Sequence, residues 1–177
     1  MHLIVLAGLP GTGKSTLART LSERLAAPVL DKDRVRGALF GSAFVEYSRA
    51  QDDHCVDLCL RTAEWLASRE CRAAILDGRT FTRAADLTGL RERAMRAGLD
   101  LCLVECVCAQ EVALARIEAD LREGAHPAED RTADLYHRLA DRAEPVEAPE
   151  LVVRTDEEPL DAAADRVVEA LERTYST

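Results

Sequence analysis

The segment Gly8-Leu9-Pro10-Gly11-Thr12-Gly13-Lys14-Ser15-Thr16 concentrates the residue types that bind phosphate. It matches the Walker A pattern G-x-x-x-x-G-K-[ST] in the required context, after the apolar run Leu3–Ala7 and before an amphipathic segment. Glycines at these positions let the backbone curl so that successive N–H groups face one anion, and the following helix adds the positive end of its dipole. Lys14 is placed to reach the β- and γ-phosphates of a nucleotide, and the Ser15 hydroxyl to ligate Mg²⁺. Of 23 basic side chains, only Lys14 and Lys32 are lysines. An arginine-rich chain has therefore kept a compact ammonium where a wide guanidinium would not fit between phosphates. An ordinary strand-to-helix turn with a capping serine would not require this spacing of Gly and Lys.

Two further groups of charged residues sit just past predicted strands, where open α/β sheets place their ligands. In Asp31-Lys32-Asp33-Arg34-Val35-Arg36, Asp33 is the favoured carboxylate for orienting an acceptor hydroxyl, with Asp31 second. Either could instead cap the helix that follows, a bond worth about 1 kcal/mol. Arg36 is read as an acceptor contact or an exposed helix arginine. Asp77 closes the run Ile75-Leu76-Asp77-Gly78 and could hold Mg²⁺ through water, or merely cap the next loop. Arg79 could grip an anionic or hydroxyl-rich acceptor. Between these groups, Phe40–His54 is expected to cover the acceptor pocket, with Tyr47, Arg49 and Asp53 as substrate contacts among Phe40, Phe44, Gln51, Asp52 and His54. A solvated helix start would explain the acidic residues there equally well.

These residues need a frame. Apolar runs of strand length alternate with longer amphipathic segments, the pattern of a parallel sheet flanked by helices. Strands are predicted near Leu3–Ala7, Pro28–Leu30, Ala73–Leu76, Leu101–Val107 and Leu151–Arg154. Helices are predicted over Lys14–Leu25, Asp33–Phe40, Arg49–Ser68, Arg83–Ala97, Gln110–Leu121, Asp130–Ala143 and Leu160–Tyr175. In Arg49–Ser68, for example, Val56, Cys59, Leu60, Ala63 and Leu66 form one apolar stripe. The segment Arg122–Asp130 breaks the periodicity and reads as a loop able to act as a lid, flanked by Arg122 and Arg131. His126 and His137 are read as incidental.

At 177 residues the chain suits a single domain, and 47% hydrophobic with 31% charged residues excludes a disordered or low-complexity chain. The formal charge of −9 opposes a broad nucleic-acid-binding or anionic membrane surface. The N-terminal apolar run lacks a basic flank and is too short to span a membrane, so a cytoplasmic protein is expected. Six cysteines without a C-x-x-C pair are expected to be reduced. Cys102, Cys106 and Cys108 share strand parity, which predicts small core residues on one face. Cys55 and Cys59, one helical turn apart near His54, read as helix packing in preference to a metal site. The sequence contains no Asn. It therefore lacks both the Asn-Lys-x-Asp guanine-reading motif and the H-R-D-x-x-x-x-N loop of protein kinases, and a small phosphotransferase remains.

Together, Gly8–Thr16, Asp31–Arg36, Ile75–Gly78 and Arg116, Arg122 and Arg131 beyond the fourth strand resemble the small P-loop kinases. That group includes polynucleotide 5′-kinase, gluconate kinase, chloramphenicol phosphotransferase and zeta-toxin-like proteins. The resemblance runs through nearly the whole chain in motif order. It implies a five-stranded parallel sheet of the P-loop nucleoside triphosphate hydrolase, nucleotide kinase-like, fold, with residues 1–177 as one domain and a small lid over about 116–143. It also implies ATP with Mg²⁺ and transfer of the γ-phosphoryl group to a hydroxyl. Asp33-x-x-Arg36 matches the Asp-x-x-Arg of the polynucleotide kinase group, and Arg116 stands where related kinases stack an arginine on adenine. Arg122 and Arg131 would stabilise charge in the transition state from the lid. Arg79 departs from the Thr or Asn that polynucleotide kinase relatives carry. The expected partner is a small-molecule hydroxyl acceptor; a 5′-hydroxyl polynucleotide or nucleotide kinase and a non-catalytic ATP-binding module are the alternatives. A monomer or small homo-oligomer is expected.

Overall fold

A computed structural model of the chain describes residues 1–123 and 132–174. The elements run β1 (His2–Ala7), α1 (Lys14–Leu25), β2 (Val29–Asp31), α2 (Lys32–Phe44), α3 (Arg49–Ala67), β3 (Ala73–Asp77), α4 (Ala84–Arg96), β4 (Asp100–Val107), α5 (Gln110–Glu123), α6 (Ala133–Ala140), β5 (Leu151–Arg154) and α7 (Leu160–Thr174). The five strands form one parallel sheet in the order β2-β3-β1-β4-β5. All six residues of β1 are buried, which suits a central parallel strand covered on both faces.

Strand alternation divides the interior into two cores. Ile4 and Leu6 pack with Leu17, Leu21, Val104, Val167 and Leu171 against α1 and α7. Leu3, Val5 and Ala7 pack with Leu60, Ala63, Leu87, Leu90 and Leu103 against α3 and α4. Burial of these apolar side chains, at roughly 25 cal/mol per Å², is the main favourable term holding the layers together. The fixed strand ends carry the chemistry: Asp31 lies opposite Asp77 in the β2–β3 register, and β1 delivers the Gly8–Thr16 turn between β3 and β4.

Most predicted elements appear within one to three residues of their expected bounds. Helix α2 runs to Phe44, beyond the expected Phe40, but its backbone is interrupted at Gly41 (φ 57°, ψ 177°). The expected helix Asp130–Ala143 is shorter: α6 starts after Thr132, whose side chain accepts a hydrogen bond from the Leu135 amide, and ends at Ala140. Arg142 therefore lies in a turn. Arg122, expected to open a loop, is instead helical, because α5 extends through Glu123; the rest of that predicted segment lies outside the described residues.

Cys102 and Cys106 share one core face as expected, and burial pushes both thiols up to about 12. Cys108 is a correction. It follows the end of β4, and its half-buried sulfur lies 3.9 Å from the Gly11 carbonyl. Cys55 and Cys59 are buried in α3, whereas His54 is exposed, its ring edge-on to Phe40. Packing therefore explains them. Among the described residues, no helix is long and apolar enough to cross a membrane.

Candidate active site

The turn after β1 is shaped by three glycines with positive φ: Gly8 at 134°, Gly11 at 80° and Gly13 at 81°. A Cβ on Gly8 would stand 2.2 Å from the Cys106 carbonyl oxygen, and one on Gly11 would stand 2.4 Å from that of Ala113. The turn is thus pressed against β4 and α5 at positions only glycine tolerates. Thr12 closes it through its hydroxyl, which donates to the Leu9 carbonyl at 2.8 Å. Lys14, the first residue of α1, is buried and donates from Nζ to the carbonyl oxygens of Gly8 (2.8 Å) and Leu9 (2.7 Å). Its ammonium is therefore held at the mouth of the curl, with Ser15 beside it.

Across a cleft of about 420 Å³, the two aspartates before and within α2 separate cleanly. Asp31 caps the helix: its Oδ1 accepts from the amides of Asp33 (2.8 Å) and Arg34 (3.2 Å). Burial, then the neighbouring Asp77 carboxylate, holds its carboxyl above the usual range. Asp33 makes no such cap. It is buried, and its Oδ1 is met by Lys32 Nζ at 3.0 Å and Arg36 Nη1 at 2.8 Å. Lys32 also donates to Asp52 at 2.8 Å, and Arg36 pairs with Asp52 while lying 5.0 Å from the Tyr47 ring centroid. Burial lowers the pKa of Lys32, opposed by the Asp33 charge. At this site the carboxylate is fixed by two cations that are themselves fixed by a second carboxylate, which satisfies the charges a closed site would otherwise leave unpaired.

A second network lies beside the first. Arg79 donates to Asp53 at 2.6 Å and pairs with Asp86 at 3.0 Å. Arg49 donates to Asp86 at 2.6 Å and reaches Asp53 at 3.6 Å. Burial raises the pKa of Asp86, but hydrogen bonds from Arg79 and Arg49 outweigh it and leave it below the usual carboxylate range. Asp77, at the end of β3, is almost fully buried, and its Oδ1 has no hydrogen-bond partner among the described residues. An orphaned carboxylate oxygen on a residue that lines the cleft with Lys14 and Ser15 suits an ordered water or a hydrated cation. Among the described residues no group of three or more His, Cys, Asp or Glu could hold a metal unaided.

Arg116 on α5 donates to the Gly11 carbonyl (3.2 Å), the Thr155 hydroxyl (2.9 Å) and the Thr155 carbonyl (3.0 Å). It lines a separate cavity of about 280 Å³ together with Gly13, Thr16, Val153, Thr155 and Leu160. This cavity adjoins the Gly8–Thr16 turn at Gly13 and Thr16.

The main cleft thus gathers Pro10, Lys14, Ser15, Asp33, Arg36, Tyr47, Arg49, Asp77 and Arg79, all singled out in the sequence, with Asp52. Asp53 stands behind Arg79. Other expectations do not hold. Phe40, Phe44 and His54 do not line the cleft, and Phe44 is 73% exposed. Gln51 holds the α2–α3 turn instead, accepting from the Glu46 amide and donating to the Phe44 carbonyl. Arg122 is exposed at the end of α5, away from the cleft; His137, read as incidental, is indeed exposed on α6 and does not line the cleft. Arg131 and His126 lie outside the described residues.

Sequence reasoning missed Lys32, Thr80, Thr82, Arg83, Asp86 and Arg142, all of which line the cleft. Reading onward from Asp77 through the β3–α4 loop and into the first turn of α4 would have found four of them. Arg142 had no local signal.

Residues 3–146 match the model of the AAA domain family. No curated protein matches the sequence. Among solved structures, a candidate kinase from Chloroflexus aurantiacus is 24% identical with a TM-score of 0.76, over 96% of this chain and 97% of that one. The APS kinase of Mycobacterium tuberculosis in complex with AMPPNP and APS is 23% identical with a TM-score of 0.73, over 97% of each chain. A gluconokinase from Sinorhizobium meliloti is 17% identical with a TM-score of 0.65, over 98% of this chain and 93% of that one. These likenesses establish the P-loop kinase fold.

Proposed function

The chain belongs to the AAA domain family, and from that premise we propose an ATP- and Mg²⁺-dependent phosphotransferase that moves the γ-phosphoryl group to a hydroxyl of a small molecule. One observation carries the proposal: a phosphate-binding turn with its lysine and a buried, doubly paired carboxylate, Asp33, line the same cleft. A module that only bound nucleotide would have no use for the second half of that arrangement. The likeness to an APS kinase and a gluconokinase supports the same class of reaction.

In this reading the amides of residues 8–16 cradle the phosphates, and Lys14 exchanges its contacts with Gly8 and Leu9 for β- and γ-phosphate oxygens. Arg116 and Thr155 border the base. Ser15, and Asp77 through water, would hold Mg²⁺, which neutralises charge on the phosphate oxygens. Lys32 and Arg36 both engage Oδ1 of Asp33, so Oδ2 accepts the hydrogen bond of the acceptor hydroxyl. As that oxygen bonds to the γ-phosphorus and the bond to the β–γ bridging oxygen breaks, Asp33 takes the hydroxyl proton and releases it to solvent. A loose transition state asks mainly for orientation, so an ordinary carboxylate suffices. Arg36, Tyr47, Arg49 and Arg79 shape the acceptor side.

The test is transfer of labelled γ-phosphate from ATP to a panel of sugars, hydroxy acids, nucleosides, antibiotics and 5′-hydroxyl oligonucleotides. Turnover of a small hydroxylated molecule supports the proposal. Turnover of oligonucleotides alone makes the protein a polynucleotide kinase instead, and nucleotide binding with no transfer makes it a binding module.

A further inference from the structure

Apart from Lys14, which holds the Gly8 and Leu9 carbonyls, the cationic side chains of the cleft fall into two sets. Lys32, Arg36, Arg49 and Arg79 are each bound by carboxylates of the chain itself. Arg83 and Arg142 also line the cleft, and among the described residues neither guanidinium meets a carboxylate. The cleft as a whole carries seven cationic side chains against four carboxylates, in a chain whose formal charge is −9. That local excess of positive charge persists against the field of the rest of the molecule.

The two arginines are brought together by a specific tie. Glu144 donates its amide to the Thr82 carbonyl at 2.8 Å and accepts from the Ala84 amide at 2.6 Å through Oε2. The segment after α6 is thereby fastened to the β3–α4 loop. Arg142, two residues before Glu144, and Arg83, between its two partners, come to one end of the cleft. The Glu144 carboxylate accepts the first amide of α4, and the two guanidiniums supply positive charge beside it. Thr80 and Thr82, whose hydroxyls lie 3.3 Å apart, line the same stretch.

We propose that Arg83 and Arg142 bind an oxyanionic group of the acceptor, a carboxylate, sulfate or phosphate, while its hydroxyl lies at Asp33. The inference rests on the phosphotransferase reading and narrows it: the substrate is a hydroxylated small molecule that carries a negative charge. Arg79 and Arg49 are neutralised by Asp53 and Asp86 and serve as a scaffold. Arg83 and Arg142 retain the fork of N–H donors suited to two acceptor oxygens.

The experiment has two arms. Calorimetry first loads the protein with AMPPNP and Mg²⁺, filling the phosphate-binding turn, and then titrates sulfate, gluconate and glycerol 3-phosphate beside the uncharged glucitol and glycerol. Uptake of at least one anion and of neither uncharged molecule is expected. Arg83→Ala and Arg142→Ala should each weaken that uptake about tenfold, while Arg96→Ala, which removes a distant exposed charge, should leave it unchanged. If AMPPNP does not bind, the phosphotransferase reading itself fails. If AMPPNP binds but no anion follows, or the arginine substitutions leave uptake intact, the inference fails alone. The second arm measures KM for whichever acceptor is turned over. A rise in acceptor KM without a change in ATP KM supports acceptor binding. A rise in ATP KM instead assigns the two arginines to the donor phosphates and overturns the proposal.

Discussion

On one side of the cleft, Gly8–Thr16 is a single uninterrupted segment whose recognition groups are backbone amides, with one buried ammonium. On the other side, the charged groups arrive from the β2–α2 junction, α3, the β3–α4 loop, α4 and the turn after α6, and side chains do the work. The first arrangement is rigid because glycine-only contacts press it against Cys106 and Ala113. The second is held by charge pairing, Lys32 and Arg36 with Asp33 and Asp52, and Arg49 and Arg79 with Asp53 and Asp86. A backbone site can serve any protein that binds a polyphosphate, whereas a side-chain site can be changed one residue at a time. Within a shared fold, acceptor identity is therefore expected to vary on the second side.

The sharpest break comes from Lys14→Ala, which should reduce phosphoryl transfer about 10³-fold and weaken ATP binding together, read by steady-state kinetics and calorimetry. Asp33→Asn acts on the other side alone. It should lower kcat about 10²-fold and leave ATP affinity within about twofold, so a matched loss of ATP binding would show that the two sides are not separable.

That contrast also explains what could be read from the letters. The turn was legible because a backbone curl demands glycine at fixed spacing and leaves its mark in a contiguous segment. The five strands were legible because each is an apolar run between amphipathic segments. Asp33 was favoured over Asp31 from the Asp-x-x-Arg spacing, but the capping role of Asp31 shows only in three dimensions, since both precede or open the same helix and only Asp31 turns its carboxylate onto the amides. Asp86 looked like an ordinary acid in a first helical turn, and its two arginine partners lie 7 and 37 residues away along the chain. Arg142 reaches the cleft through the tie of Glu144 to Thr82 and Ala84, a long-range contact that periodicity cannot register.

A smaller effect tests whether pairing holds the side-chain half together. Asp86 is kept ionised in the fold to a lower pH than its ordinary 3.8. Its stabilising contribution is therefore complete above about pH 4 and is lost as the pH falls below that value. Asp86→Asn should cost about 2 kcal/mol at pH 7 by denaturant unfolding, less than for a fully buried pair because the cleft is open to water. The gap to the parent protein should close on acidification toward about pH 3; a gap independent of pH would mean that packing, not charge, sustains the network. The smallest effect has the opposite sign. Gly37 lies inside α2, and a Cβ there would meet nothing within 4 Å. Gly37→Ala should raise stability by about 0.5–1 kcal/mol, measured by thermal unfolding. The same substitution at Gly8, with φ 134° and a backbone oxygen at 2.2 Å, should instead disrupt the turn.

The contacts of Lys14 with the Gly8 and Leu9 carbonyls have a consequence for which anions can compete. An ammonium already holding two strong acceptors gains little from a lone orthophosphate or sulfate, since it would trade existing bonds for similar ones. A chain of linked phosphates touches more amides at once and so offsets that exchange better than a single anion does. In the proposed reading the resting turn therefore favours the extended tail of a nucleoside triphosphate over a short inorganic anion.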